Sequence, residues 1–388
     1  MHPRILVSAG EASGDLYAAL VVRELRRLWP EAEFFGSTGP RLREAGVRTV
    51  VDSASLAVVG LLEVVGHIPR IYGEYRRLVR AAQEQRPDVA ILTDSPDFNL
   101  RVARRLHRCG IPVIYLVAPQ VWAWRKGRLP ALRRLARLLC IFPFEEDFFA
   151  REGVAATYIG HPLTDLVRPS LGREAFFRKH GLVEGRPLVS VLPGSRRGEA
   201  ARHLPALLDA VQRLNGECSR GPLNFVLPAS STTGAGFFTK RIGNAPVQVI
   251  EGEAWDAMAH ADLALAASGT VTIEAALLGT PMVTFYHVTW PSWVAGKLLV
   301  RVPFYSMVNL VAGRAVVPEL MQGRMTGRNL AAEVRRLLED EQAREEMRAG
   351  LAEVRRRLAP PPGPAGDAPR RAAAIIQDIL EGQVAHVS

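Results

Sequence analysis

Cysteine is scarce. The chain has three in 388 residues, Cys109, Cys140 and Cys218, set far apart without metal-ligand or redox spacing. That argues against a disulfide scaffold and for a reducing compartment. Long apolar runs are missing as well. No stretch approaches the roughly 18–20 residues that span a bilayer. The opening "MHPRILVSAG" runs into a strand with no signal-peptide pattern. The expectation is a cytoplasmic, soluble protein that can still touch a membrane surface. Phosphate-loop signatures are also absent: no GxxxxGK followed by Ser or Thr occurs, and the first turn, "AGEASGD", departs from GxGxxG. A nucleoside triphosphatase or an ordinary dehydrogenase therefore has little support. Acidic residues are in deficit, 39 against 49 Lys and Arg, for a formal net charge of +10. Such a balance favours an anionic partner: nucleic acid, an acidic lipid surface or a phosphorylated substrate. The arginines are spread along helical stretches such as "RRLHRCG" and "ALRRLARLL", not gathered with aromatics on one face, which speaks against nucleic acid.

What is present is a long alternation of strands and helices. "RILVSAG", "DVAILTD", "IPVIYLVAP", "LLCIFPF" and "ATYIGHP" are short apolar runs separated by helical spacing, and the series restarts with "PLVSVLPGSR", "LNFVLPAS", "APVQVIEG", "ADLALAASG" and "PMVTFYHV". Continuous apolar strands between helices predict parallel sheets covered on both faces, an α/β fold. The length exceeds what one core usually serves. The expected division is a Rossmann-like domain over 1–165, a second over 166–358, and a proline-rich linker, "APPPGPAGDAP", with a final helix over 359–388 that packs back on the first domain. Ligands of such sheets bind beyond the carboxyl ends of the strands, so residues just after strands carry the interest.

In the second half, "LPGSR" offers Gly194, Ser195 and Arg196, and "ASGT" offers Ser268, Gly269 and Thr270. Backbone donors, hydroxyls, a helix start capped by Ser268 or Thr270, and a guanidinium suit a diphosphate. Glu274, one turn further on, would repel a bare phosphate but can accept hydrogen bonds from the ribose hydroxyls of a nucleotide diphosphate. In the first half, "TDSPDFN" places Asp94, Asp97 and Asn99 at a strand end, as helix caps or with one carboxylate as a general base. "GEASGD" supplies another carboxylate, Glu11. "PQVWAWRKGR" sets two tryptophans beside Arg125, Lys126 and Arg128, as a stacking platform or as core; His161 is either ligand-facing or packed. Two greasy segments, 55–73 with Leu61, Leu62 and Val64, and 289–305 with Trp290 and Trp293, are either buried helices or contacts to acyl chains and a membrane interface.

Taken together, "GEASGD", "DSPDFN", "PQVWAW", "PFE", "GHPLTD", "LPGSR", "ASGTVTIE" and "VPELMQG", in this order from residue 10 to about 323, resemble the lipid-A-disaccharide synthases. The resemblance implies the two-domain GT-B glycosyltransferase fold, no metal and no cofactor. It implies inverting transfer from UDP-2,3-diacylglucosamine to 2,3-diacylglucosamine 1-phosphate (lipid X). Asp97 matches the general base, with Glu11 as a second catalytic carboxylate and Asp94 still a candidate for the proton. Gly10, Ser13, Gly14 and Asn99 fall on the acceptor side. Arg196 matches a diphosphate ligand, Glu274 the ribose carboxylate, and Asn309 a UDP contact, although Met307 and Val308 replace the Leu-Pro usual before it. Domain closure would bring Asp97 towards Arg196 and Glu274 and exclude water. An anionic inner-membrane surface is the expected partner, with a homodimer left open. The nearest alternatives are another UDP-sugar glycosyltransferase or a UDP-GlcNAc 2-epimerase.

Overall fold

A computed structural model describes residues 2–56, 63–217, 221–300, 302–363 and 366–387. It has two compact units: Met1–Pro162 with Leu358–Ser388, and Leu163–Arg357.

In the first unit, seven strands are described: β1 (Arg4–Ala9), β2 (Glu33–Thr38), β3 (Arg48–Asp52), β4 (Val89–Thr93), β5 (Val113–Leu116), β6 (Arg137–Cys140) and β7 (Ala156–Tyr158). They form one parallel sheet in the order β3-β2-β1-β4-β5-β6-β7. The central strands are mostly apolar because both faces are covered by helices: all five residues of β4, "VAILT", are buried. Leu6, Leu92, Tyr115 and Leu138 belong to one core cluster with Phe35 and Phe149. Each such aliphatic side chain contributes about 1.5–3 kcal/mol on burial.

The second unit repeats the plan with β8 (Leu188–Leu192), β9 (Asn224–Ala229), β10 (Gln248–Glu251), β11 (Leu263–Ala267), β12 (Met282–Tyr286) and β13 (Glu319–Met321). These are parallel in the order β10-β9-β8-β11-β12-β13. The doubly wound α/β class read from the sequence is the class observed.

In both sheets the chain builds outward in one direction, returns to the centre and builds the other way. The reversal lies between β1 and β4 in the first unit and between β8 and β11 in the second. Crevices at such switch points are where open α/β sheets hold ligands. The sequence motifs stand there: "GEASGD" follows β1, "DSPDFN" follows β4, "LPGSR" ends β8 and "ASGT" ends β11.

Local differences from the sequence reading have physical causes. The helix after β1 begins already at Ala12, with Glu11 at its N-cap. "GEASGD" is thus a strand end and a first helical turn, not a loop. β2, β3 and β13 escaped notice because "EFFGST", "RTVVD" and "ELM" are short or carry polar residues. The final helix spans Ala368–Val387 and packs on the helix Ala12–Leu28, where Arg370 pairs with Glu24 at 3.6 Å. Among the described residues no helix is long and apolar enough to cross a membrane.

Candidate active site

At the switch point of the first unit, the residues after β1 and β4 are locked together. Asp94 is no helix cap. Its Oδ1 accepts from Gly10 N–H at 2.8 Å and its Oδ2 from Glu11 N–H at 3.0 Å. Gly14 makes the close approach feasible, since a Cβ there would lie 1.7 Å from Asp94 Oδ2. Asp94 and Ser95 both hold positive φ, 52° and 38°, immediately before Pro96 opens the helix Pro96–Arg108. The strained turn is fixed from several sides: Asn99 Nδ2 donates to Thr93 O at 2.9 Å and Asp94 O at 3.1 Å, and the Tyr115 hydroxyl also donates to Asp94 O. Val117 and Arg125, after β5, have positive φ too. Backbone strain held in place by surrounding bonds is a mark of functional turns.

Burial pushes the Asp94 carboxyl up to about 7 despite the two backbone donors. A carboxyl raised in the fold but ordinary in the unfolded chain stabilises the protein in its protonated form. Its contribution is whole below about pH 4 and is lost as pH rises through about 7. The buried Glu145, raised to about 8 by burial, acts in the same direction. The difference between wild type and Asp94→Asn therefore isolates Asp94: the wild type's advantage in urea unfolding free energy should shrink across about pH 4 to 7. A constant difference would contradict the assignment.

Asp97, one turn on, differs in every respect. Its side chain is 72% exposed and lies between two guanidiniums. Arg125 Nη1 donates to Oδ1 at 3.1 Å and Oδ2 at 2.8 Å, and Arg128 Nη2 donates to Oδ1 at 2.7 Å. Partial burial would raise this carboxyl, but Arg128 and then Arg125 outweigh it and hold it below the usual range. The two tryptophans of "PQVWAW" separate. Trp122 Nε1 donates to Glu145 at 3.1 Å, whereas the Trp124 ring carries Arg125 at 4.3 Å and Arg128 at 5.7 Å.

Several residues expected near the acceptor have structural work instead. Asn99 is fully buried: Ser8 donates to its Oδ1 at 2.8 Å and its amide braces the turn after β4. Its side chain has no access to an acceptor, which corrects that expectation. Gly10 has its N–H bound to Asp94, and Gly14 is a packing position. Ser13 is half-buried in the first turn of the helix Ala12–Leu28, beside the exposed Glu11. The aspartate of "GEASGD", Asp15, accepts from Gly39 and Arg41 N–H at 2.7 and 2.8 Å and so caps the next helix. His161 is packed rather than ligand-facing, 1% exposed against the Tyr17 and Phe142 rings.

In the second unit the turns after β8 and β11 leave neighbouring strands, with Leu192 level with Ala266. Gly194 has φ 112°, and a Cβ there would meet Glu199 Cδ at 2.8 Å, so glycine is required on two counts. Ser195 and Arg196 are exposed at the start of the helix Arg197–Glu217. Burial raises the Glu199 carboxyl, against the charge of Arg196 and a hydrogen bond from Tyr286. The cap of the helix Thr270–Leu278 is Gly269; neither Ser268 nor Thr270 caps it, since Ser268 Oγ donates to Tyr305 O at 3.1 Å. Gly269 and Thr270 are exposed. Glu274 lies one turn inward, where burial raises its carboxyl and Trp255 donates a hydrogen bond to it.

Asn309 also needs correction. It is 1% exposed, its amide donates to Val317 O and Glu319 Oε1 at 2.9 Å each, and its Oδ1 accepts from Val316 and Val317 N–H. With both donors and both lone pairs occupied, the side chain cannot bind UDP. It braces a framework centred on Glu319, whose carboxylate also accepts from Tyr305 and Ser306 N–H. This framework and His203 were missed in the sequence. His203 Nδ1–H donates to Pro193 O at 2.8 Å and Nε2 accepts from His287 N–H at 3.0 Å, tying the end of β8 to the end of β12. Their only signal was the motif "VPELMQG" and a histidine two turns beyond "LPGSR". A cavity of about 180 Å³ opens beside Ser268, lined by Tyr286, Val288, Trp293, Tyr305 and Gln322. Trp290 is 73% exposed. Leu61 and Leu62 lie outside the described residues, as does the side chain of Val64.

Comparison with known proteins agrees with this fold. Over most of its length the chain is similar to a UDP-GlcNAc 2-epimerase from Neisseria meningitidis bound to UDP-GlcNAc (TM-score 0.62, 13% identity, 99% of each chain). It is similar to the same extent to CalG4, the calicheamicin glycosyltransferase (TM-score 0.57, 16% identity, 98% of each chain). At these identities the likeness shows the fold, that of the GT-B glycosyltransferases and their epimerase relatives. In sequence it is 72% identical over 387 residues, all of both chains, to the lipid-A-disaccharide synthase of Solibacter usitatus (strain Ellin6076). The model of the lipid-A-disaccharide synthetase family matches residues 5–359. With fold, strand-end turns and full-length similarity in agreement, the chain belongs to the lipid-A-disaccharide synthetase family.

Proposed function

We propose that the second unit holds the UDP of UDP-2,3-diacylglucosamine and the first holds 2,3-diacylglucosamine 1-phosphate, with Asp97 as the base. Family membership makes the chain a glycosyltransferase of lipid A disaccharide synthesis; neither an epimerase nor a non-lipid transferase is favoured. The observation that supports the donor-side roles is the adjacency of two turns, Pro193–Arg196 and Ser268–Thr270, at one switch point, with the half-buried Glu274 one turn beyond.

The chemistry follows from these groups. The acceptor's 6-hydroxyl gives its proton to Asp97 as its oxygen bonds to the anomeric carbon of the donor. The bond from that carbon to the β-phosphate oxygen breaks, UDP leaves with the electron pair, and the configuration inverts. Asp97 suits the base role by access. Asp94 is half-buried and has both oxygens bound to backbone N–H groups, so it positions the turn. Arg196 and backbone N–H groups of the two turns, other than that of Ser268, which is bound to Phe285 O at 2.8 Å, take up the charge that builds on the leaving diphosphate. Glu274 accepts from the ribose hydroxyls.

Glu274→Gln tests the donor side, because glutamine can keep the Trp255 hydrogen bond. Titration calorimetry should show the wild type binding UDP better than 2′,3′-dideoxy-UDP, and the variant losing about 10-fold of that preference. An unchanged preference would remove Glu274 from the ribose.

Both substrates carry acyl chains, which gives Trp290, Trp293 and the segment with Leu61, Leu62 and Val64 a role at a membrane. The net charge of +10 suits an anionic, inner-face surface, with the protein bound peripherally. Trp290→Ser and the double change Leu61→Asp and Leu62→Asp should each lower binding to anionic vesicles several-fold while leaving the unfolding midpoint in place. Unchanged vesicle binding would remove these residues from the membrane contact.

A further inference from the structure

The arrangement around Asp97 contains more cation than one carboxylate needs. Arg125 and Arg128 are both directed at it, giving the trio a net positive charge. Both guanidiniums lie over Trp124, which holds these planar donors in fixed orientations. Arg125 stands on a left-handed backbone (φ 58°) at the start of the short turn Lys126–Arg128, and Arg128 is only 14% exposed on its side chain. The neighbouring Lys126 is engaged elsewhere, with Glu152 at 3.3 Å. A base acting on a hydroxyl needs a free lone pair, yet three hydrogen bonds from arginine crowd the two oxygens of Asp97. Asp97 is the exposed member of the trio, so its carboxylate can swing into solvent and leave the guanidiniums to another anion, while the mostly covered Arg128 keeps its place.

We infer that Arg125 and Arg128 form the binding site for the phosphomonoester of the acceptor, which displaces the Asp97 carboxylate from them and frees it to act as base. This rests on the proposed acceptor and base. A phosphomonoester carries about −1.5 to −2 charge at neutral pH and three acceptor oxygens, a closer match to two guanidinium forks than one carboxylate. The 1-phosphate and the 6-hydroxyl leave the sugar from the two ring carbons that flank the ring oxygen. Neighbouring cationic and carboxylate groups can therefore engage both ends of that edge. Acceptor binding and activation of the base become one event, so that an unphosphorylated sugar fails to unmask Asp97.

The test compares kcat and KM for 2,3-diacylglucosamine 1-phosphate and for 2,3-diacylglucosamine in detergent micelles and in anionic vesicles. The enzymes are wild type, Arg125→Ala, Arg128→Ala, Arg128→Lys and Asp97→Asn. Wild type should prefer the phosphorylated acceptor by about 100-fold in kcat/KM. Each alanine variant should lose about 10-fold or more of that preference, mainly through KM for the phosphorylated acceptor, with the KM for the donor unchanged. Arg128→Lys should retain more than Arg128→Ala. Asp97→Asn should keep the phosphate preference although its turnover falls, because the guanidiniums then lose their competitor. Near-normal turnover in Asp97→Asn with the preference still lost in the arginine variants would refute the base and not the phosphate site. Equal losses for both acceptors, no preference in wild type, or a defect confined to anionic vesicles would overturn the phosphate site. The first would reduce the arginines to supports for Asp97, and the last would give them to membrane lipid.

Discussion

Asp97→Asn is expected to lower kcat about 10³-fold, within the range that removal of a general base produces, while UDP affinity stays within about two-fold because the donor is held by other residues. The variant should fold. Asp97 is 72% exposed, and exposed ion pairs are worth roughly 0–1 kcal/mol each. Loss of its charge leaves both guanidiniums over the Trp124 ring, with Arg125 also half exposed to solvent. A collapse in turnover cannot then be ascribed to unfolding, and a matching urea midpoint would verify that. Asparagine preserves the shape of the side chain but cannot accept a proton at neutral pH. Wild-type rates would remove Asp97 from the mechanism and move attention to Glu11, the exposed carboxylate after β1.

Arg196→Ala is expected to weaken UDP binding by about 10- to 100-fold and to lower kcat by about 10²-fold, since a guanidinium at the diphosphate works both in the ground state and against the leaving group's charge. Arg196 is exposed after Gly194, so its loss should leave stability nearly unchanged. Arg196→Lys retains a charge but not the two-pronged fork, and should fall between the two. Calorimetry with UDP separates binding from turnover. Unchanged affinity with normal kinetics would refute the diphosphate role.

The sequence showed the strands whose residues are buried on both sides, such as "VAILT" and "LALAA", because a continuous apolar run needs no partner to be recognised. It also showed the motifs at their ends. It was poorer wherever meaning depends on a distant partner. Asp97 and Arg128 are 31 residues apart, and nothing local reveals that they pair. Asn99 looked like a ligand residue because it follows a strand end, and Asn309 because the family resemblance implied a UDP contact there. Their burial, and the backbone groups that use up their hydrogen bonds, belong to tertiary structure. β2 and the edge strand β3 were missed for a related reason. "EFFGST" and "RTVVD" draw their stability from pairing with β1 and β2, not from their own patterns.

The most direct test is a transfer assay with the purified chain, UDP-2,3-diacylglucosamine and 2,3-diacylglucosamine 1-phosphate in the presence of EDTA, following UDP release and the lipid product together. Equimolar UDP and β-1,6-linked disaccharide 1-phosphate, formed despite the chelator, is the expected result. UDP released without disaccharide, or UDP bound with no reaction, would contradict the proposed acceptor while leaving the nucleotide site intact.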